Sequence, residues 1–159
     1  MRPREHIEKI TVNVGVGRLS GQGGFKDKIL PEILKEVAIV TGQKPIAIGA
    51  RKSIAGFKVR EGDVVGIKVT LRKKRMEDFL NKCIHVVLPR VKDFRGLQET
   101  SVDTAGNLNI GLRDQFVFPE IDQNESKVQF GMQITASAKQ GKRQELIDFY
   151  RSIGVPLKR

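Results

Sequence analysis

The chain has 159 residues, 39% of them hydrophobic and 30% charged, which is typical of a folded protein with a sizeable core. It carries 29 Lys and Arg against 18 Asp and Glu, a formal net charge of +11. No apolar stretch approaches the roughly 20 residues that cross a bilayer, the start lacks a signal-peptide core, and a single cysteine excludes an internal disulfide, so we expect a cytoplasmic protein without a membrane partner.

The positive charge is concentrated in the middle of the chain. Residues 44–95 hold 14 basic and 5 acidic side chains, whereas residues 1–43 hold 7 and 5, and residues 96–159 hold 8 and 8. A local cationic excess of this kind is typical of a surface that binds a polyanion. The alternative is an ordinary solvated surface, which most charge runs are.

The first half of the chain predicts two strands and a helix. Residues 8–16 alternate apolar and polar side chains with a period of two, which is typical of a strand with one buried face. Residues 28–41 carry apolar side chains at helical spacing. Residues 44–50 predict a second strand, with Ile46 and Ile48 facing inward and small residues facing outward.

Three more strands and two helices follow. Residues 65–73, 107–113 and 127–137 alternate with a period of two, and the last of these has the most regular pattern. Residues 74–88 and 141–153 carry apolar stripes at helical spacing.

These elements predict an α+β fold in one domain, residues 1–159. About five strands, mostly antiparallel, form a sheet with the amphipathic helices on one face, and the other face stays free. The pattern places donors and cations on that free face and no acid among them: Lys9, Thr11, Asn13, Lys68, Thr70, Arg72, Asn107 and Asn109. Phosphate and 2′-hydroxyl groups are the natural partners of such a surface.

A basic arm, about residues 50–64, lies between the second and third strands. Arg51, Lys52, Lys58 and Arg60 lie within it, and Lys44 precedes it, whereas the stretch to Gly62 has the single acid Glu61. It lacks a sustained helical stripe and is punctuated by glycines, as expected of a projection that reaches RNA. The alternative is an ordinary flexible loop.

No motif indicates an enzyme, a cofactor or a metal. The glycine-rich segment 15–21 follows a strand, but Ser20 stands where the third glycine of a dinucleotide-binding loop would be, so we interpret it as a glycine turn that could pack against RNA. Cys83 lies on an apolar helical stripe and is expected in the core. Glu77 and Asp78 are adjacent on a helix and diverge, so they form no acid–base pair.

Six segments in order resemble one family. They are Val12-Asn-Val-Gly-Val-Gly17, Gly42-Gln-Lys-Pro45, Ala50-Arg-Lys-Ser53, Lys68-Val-Thr-Leu-Arg72, Leu88-Pro-Arg-Val-Lys-Asp-Phe-Arg-Gly96 and Phe118-Pro-Glu-Ile121. Together they closely resemble bacterial ribosomal protein five of the large subunit. One such segment would be weak evidence, but six at compatible spacing are specific.

The resemblance implies binding to 5S rRNA in the central protuberance, contact with P-site tRNA, and a bridge to a protein of the small-subunit head, with large-subunit rRNA as a further partner. By motif, Asn13, Gln43 and Thr70 match positions that contact 5S rRNA. The residues assigned to 5S rRNA are Lys9, Thr11, Asn13, Gln43, Lys44, Lys68, Thr70 and Arg72. Those assigned to tRNA are Arg51, Lys52, Ser53, Lys58 and Arg60, and the region 119–127 is expected near the bridge. The alternative functions are a general RNA-binding chaperone and a nucleotide-dependent enzyme.

Overall fold

A computed structural model describes residues 2–159 as an α+β protein with five strands. The strands are β1 (Ile7–Gly15), β2 (Ile46–Gly49), β3 (Val64–Leu71), β4 (Leu108–Leu112) and β5 (Met132–Ala138). The helices are α1 (Pro3–His6), α2 (Gly17–Ser20), α3 (Leu30–Thr41), α4 (Lys73–Lys82), α5 (Leu88–Arg90) and α6 (Arg143–Ser152). None of the helices within residues 2–159 is long and apolar enough to cross a membrane.

The strands form one antiparallel sheet in the order β2-β3-β1-β5-β4. This confirms the predicted fold class. The predicted bounds of β1 and β3 are correct to within two residues, because each strand alternates buried apolar residues with more exposed polar ones over most of its length. In β1, for example, Ile10, Val12 and Val14 are fully buried.

The predicted orientation of β2 is wrong. Ile46 pairs directly with Lys68 and Ala47 with Ile67, so Ile46 shares a face of the sheet with the exposed Lys68. All four residues of β2 are exposed, Ile46 by 68%. The strand lies at the edge of the sheet, where the apolar alternation of a sequence does not reveal which face is covered.

Strand β5 begins later than its alternation predicts. The pattern covers residues 127–137, but the strand starts at Met132. Before it, the side chain of Gln115 donates a hydrogen bond to the carbonyl of Val128 and accepts one from the N–H of Phe130, 3.1 Å away. A buried amide side chain thus satisfies the backbone groups that a neighbouring strand would otherwise pair.

Two helical segments each contain a wide, π-type turn two residues before a proline. The turn Phe25–Ile29 precedes Pro31 in α3, and the turn Cys83–Val87 precedes Pro89 in α5. Proline has no N–H to donate to the carbonyl four residues earlier, so the regular helical ladder is interrupted there. The helix predicted over residues 74–88 therefore consists of α4, the π-type turn and the start of α5.

The chain divides into two compact units, and β1 and β3 each contribute residues to both. One unit comprises residues 2–12, 70–112 and 133–159, and its core includes Leu80, Ile134 and Tyr150. The other comprises residues 13–69 and 113–132, and its core includes Val37 and Phe118. The expectation of one domain over residues 1–159 stays a prediction.

Candidate nucleic-acid interface

Asn13 is the most open of the predicted polar positions on β1. The flanking Val12 and Val14 are fully buried, so strand alternation turns the amide of Asn13 to the opposite, exposed side. Its amide oxygen lies 3.9 Å from the position that a Cβ on Gly66 of β3 would occupy. Gly66 itself is buried, so the exposed Asn13 amide is the group that a ligand can reach at this point.

Three further predicted residues belong to the same unit as Asn13. Lys68 is exposed on β3. Gln43 and Lys44 follow the C-terminus of α3, where the Thr41 hydroxyl donates to the Val37 carbonyl at 2.7 Å and accepts from the Gln43 N–H at 3.4 Å. These hydrogen bonds fix the backbone that leads into β2, leaving Lys44 exposed and Gln43 half-buried.

The other unit carries Lys9, Thr11, Thr70 and Arg72. The first three are half-buried and Arg72 is exposed. Arg72 lies 3.3 Å from the carboxylate of Glu8, with both side chains 53% exposed. The alternating pattern of the sequence predicts no acid among the residues of this face, so it does not predict the pairing of Glu8 with Arg72. An exposed ion pair of this kind is weak, and a phosphate could compete for the guanidinium.

Asn109 of β4 and Asn107, which precedes β4, both form hydrogen bonds within the protein. The Asn109 side-chain oxygen accepts from the Thr135 hydroxyl at 2.9 Å, and the Asn107 oxygen accepts from the Ala138 N–H at 2.9 Å. Asn107 also donates to Asp103. These amides are therefore engaged within the protein, in contrast to the open amide of Asn13.

The basic arm is an ordered hairpin. At its base Ala50 N–H donates to Asp63 O and Gly62 N–H donates to Ala50 O, at 2.7 and 2.9 Å. Nearer the tip, Ile54 and Val59 exchange two backbone hydrogen bonds. Gly62 has a φ of 87°, and a Cβ on Gly49 would lie 3.2 Å from the Gly62 carbonyl oxygen. The two glycines thus close the base of the hairpin instead of acting as hinges.

The predicted cations of the arm are exposed, whereas its serine holds the hairpin together. Arg51, Lys52, Lys58 and Arg60 all face solvent. The Ser53 hydroxyl oxygen accepts from the Glu61 N–H at 2.9 Å, and the Asp63 carboxylate accepts from the Arg60 N–H at 2.9 Å.

An open apolar cleft beside the arm was not anticipated. Ile54 and Phe57 of the arm are 50% and 79% exposed, and both line the cleft with Val59. Arg18 of α2 borders the same cleft, so the glycine-rich segment 15–21 joins the arm in one surface with a cationic rim. The apolar residues Ile54 and Phe57, within a segment otherwise rich in cations and glycines, are the sequence signal that could have predicted it.

A separate acidic surface lies between α3 and the region 119–127. It contains Glu32, Glu120, Asp122 and Glu125, with two lysines, Lys35 and Lys127, and the buried Glu36 lies beneath it. The Glu36 carboxylate is buried and accepts a hydrogen bond from the Gln115 amide at 3.0 Å. Gln115 therefore connects α3 to the segment that carries the other acids.

Three titratable groups of the chain are buried or engaged by other residues of the protein. Cys83 is 1% exposed, and the Glu77 carboxylate lies 2.7 Å from the Arg4 guanidinium. Burial raises the pKa of the Tyr150 hydroxyl well above its usual range, and the hydroxyl donates to the Gly106 carbonyl at 2.8 Å. Within residues 2–159 no group of His, Cys, Asp and Glu could hold a metal ion.

Exposed polar and cationic side chains on a sheet, together with an ordered basic arm, are features typical of proteins that bind a polyanion such as RNA. Residues 4–60 match the family model of ribosomal protein L5, and residues 64–157 match the model of the C-terminus of the same ribosomal family. The chain belongs to this family of large-subunit ribosomal proteins.

Several curated relatives are similar over most of the chain. The large ribosomal subunit protein uL5 of Fusobacterium nucleatum is 45% identical over 153 residues, which cover 96% of this chain and 81% of the relative. The uL5 of Nitrosococcus oceani is 48% identical over 129 residues, 81% of this chain and 69% of the relative. The uL5c of Guillardia theta is 45% identical over 150 residues, which cover 94% of this chain and 81% of the relative.

Family membership confirms several predictions. The protein is a structural, non-enzymatic component of the large ribosomal subunit, with rRNA and the ribosome as its partners. It is cytoplasmic and associated with the ribosome, as its bacterial relatives indicate.

Proposed function

We propose that the protein binds 5S rRNA within the central protuberance of the large subunit. The observation that carries this proposal is the exposed Asn13 amide, which lies beside the side-chain-free Gly66 and on the same strand as two fully buried valines. Such an amide can donate to a phosphate or a 2′-hydroxyl without disturbing the core. Its position also matches a 5S rRNA contact of the family.

The remaining proposed contacts lie in both units. In the unit of Asn13 they are Gln43, Lys44 and Lys68, and in the other unit Lys9, Thr11, Thr70 and Arg72. Cations supply affinity through phosphate neutralisation, whereas hydroxyl and amide groups fix the orientation of the RNA. The small aromatic content, 6% of the chain, disfavours recognition by base stacking along a single strand.

The basic arm is proposed to contact P-site tRNA through Arg51, Lys52, Lys58 and Arg60. The closed base and the paired backbone of Ile54 and Val59 support this role, because an ordered arm loses little conformational entropy on binding. Ser53 was assigned to the same contact, but its engagement with Glu61 N–H favours a supporting role in the arm.

The acidic surface is proposed to contribute to a bridge with a protein of the small-subunit head. Its acids stand out in a chain of net charge +11, and a basic protein segment would be their electrostatic complement. Replacing Asp122 and Glu125 with alanine should weaken the association of the two subunits, whereas replacing the exposed Asp27 and Asp78 should not. Equal effects of the two double variants would contradict the bridge.

The RNA that co-purifies with the tagged protein tests the main proposal. We expect 5S rRNA to be enriched over tRNA and over fragments of the larger rRNAs after RNase-free purification at moderate salt. A mixture of RNAs in proportion to their abundance would instead indicate the alternative, a general RNA-binding chaperone.

A further inference from the structure

The apolar cleft beside the basic arm has no role in the contacts proposed above. Its walls are formed by five apolar residues: Ala50, Ile54, Phe57, Val59 and Val65. Its volume of about 750 Å³ lies within the range of roughly 300–1,000 Å³ that is typical of pockets for small organic groups. All of these residues belong to the unit of residues 13–69 and 113–132, so one compact unit forms the cleft.

A turn at the tip of the arm holds the ring of Phe57 in solvent. The Phe57 N–H donates to the Ile54 carbonyl and the Lys58 N–H donates to the Ala55 carbonyl, both at 3.2 Å. Lys58 has a φ of 53°, a left-handed conformation that costs energy for a residue other than glycine. The 79% exposure of Phe57 is therefore imposed by an ordered turn. An aromatic ring presented in this way can stack on a partner at little cost in conformational entropy.

The rim of the cleft is cationic. Arg18, Arg51 and Lys52 border it with exposed side chains, and none of the described residues that line it is acidic. An occupant that matches this surface combines an apolar group with a negative charge nearby. A nucleotide has this composition, because its base offers an apolar face and is attached to a phosphate. An acidic amphipathic peptide is the alternative, but the cleft is continuous with the basic arm, which is already proposed to meet tRNA phosphates.

We infer that the cleft binds one unpaired nucleobase of the tRNA, stacked on the ring of Phe57. Unpaired bases in RNA loops are commonly recognised by stacking on aromatic side chains. This inference rests on the proposed contact between the basic arm and P-site tRNA, and it adds an apolar part to that contact. Arg51 and Lys52 belong to both the arm and the rim, so the phosphates that adjoin the base meet the same cations. A single stacked base needs only one ring, unlike a single strand that is read by several aromatic residues.

The test compares the release of P-site tRNA from assembled ribosomes at low and high salt. Phe57→Ala should raise the off-rate by at least about fivefold, the lower end of the loss expected for one base–aromatic stack, and by the same factor at both salt concentrations. Phe57→Tyr keeps the ring and should release tRNA like wild type. Val86→Ala, at an exposed apolar residue of the other unit, is the control and should also behave like wild type. The effect of replacing the four arm cations should instead shrink at high salt, because salt screens exposed charges.

A crosslink identifies the occupant of the cleft. Because Cys83 is buried, Ile54→Cys introduces an exposed thiol in the cleft wall, to which a photoreactive group can be attached while Phe57 is kept. Crosslinking to a base of P-site tRNA supports the inference, whereas crosslinking only to protein would indicate a peptide in the cleft and overturn it.

The two sets of variants separate this inference from the proposed tRNA contact. An off-rate of Phe57→Ala equal to that of wild type would overturn the stacked base, and faster release by the four-cation variant would then leave the phosphate contact standing. If the four-cation variant retained tRNA like wild type, the proposed phosphate contact would be contradicted, and the off-rate of Phe57→Ala would still decide whether a base is stacked.

Discussion

Ile46 of β2 lies directly opposite Lys68 of β3, so an exposed apolar side chain and an exposed ammonium group occupy the same face of the sheet. Directly opposed residues in an antiparallel pair have Cβ atoms about 5 Å apart. The face proposed to meet RNA is therefore amphipathic at this point. Lys68 offers a charge to phosphate, and Ile46 offers an apolar surface against which a ribose could pack.

The two side chains should contribute differently to RNA binding. Lys68→Ala should lower the slope of log K for 5S rRNA against log[salt] by about 1, because one phosphate contact is lost. Ile46→Ala should leave this slope unchanged and alter the free energy of unfolding by no more than about 0.5 kcal/mol, because the side chain is largely exposed. Salt titrations of both variants test the assignment, and a similar slope change in Lys26→Ala would contradict it.

Asn13→Ala should weaken 5S rRNA binding without unfolding the protein. The exposed amide fills no core space, and one hydrogen bond contributes about 0.5–1.5 kcal/mol, or roughly 2- to 12-fold in affinity. Affinity at fixed salt and a urea unfolding curve should be measured together. Asn81→Ala, the same change at an exposed position of α4, serves as the control and should bind like wild type.

Gly62→Ala should destabilise the base of the basic arm. Its φ of 87° is strained for any residue with a Cβ, so we expect a loss of about 1–2 kcal/mol in the free energy of unfolding. Gly56→Ala is a matched control within the arm, because Gly56 lacks a positive φ and a Cβ there would meet open space. If urea denaturation gave equal stabilities for both variants, the closed base would not require glycine.

Replacing Arg51, Lys52, Lys58 and Arg60 with alanine should separate the arm from the sheet. Affinity for isolated 5S rRNA should stay within a few-fold of wild type, apart from long-range attraction that salt screens. Assembled ribosomes that carry the variant should release P-site tRNA faster. Exchanging Arg51 and Arg60 for lysine preserves the charge and should preserve the tRNA off-rate. Loss of 5S rRNA binding with normal tRNA retention would place the arm in the 5S site.

Periodicity predicted the strands that have one covered face. Burial alternates over residues 10–15 of β1 and 67–71 of β3, because there one face of the sheet is buried and the polar face is more exposed. The same rule misassigned Ile46 and Ile48, since an edge strand with little cover on either face carries no such constraint. Alternation also extended β5 to residue 127, where Gln115 takes the place of a partner strand.

The sequence predicted which residue types the candidate site contains better than it predicted their hydrogen-bond and ion-pair partners. The sequence indicated the cations of the basic arm, but it could not reveal that Ser53 bonds to Glu61, that Glu8 pairs with Arg72, or that Asn109 is engaged by Thr135. Each of these contacts joins residues distant in sequence or depends on a turn. Only the folded chain brings such partners together, so composition alone overestimates how many polar groups are available to RNA.

Selective, salt-dependent binding of folded 5S rRNA is the most direct test of the central claim. If about five phosphates are neutralised, log K should fall with log[salt] at a slope of roughly −3.5 to −4.5. Under the same conditions an unrelated RNA duplex of similar length should bind far more weakly. A slope near zero, or equal affinity for the two RNAs, would contradict the account.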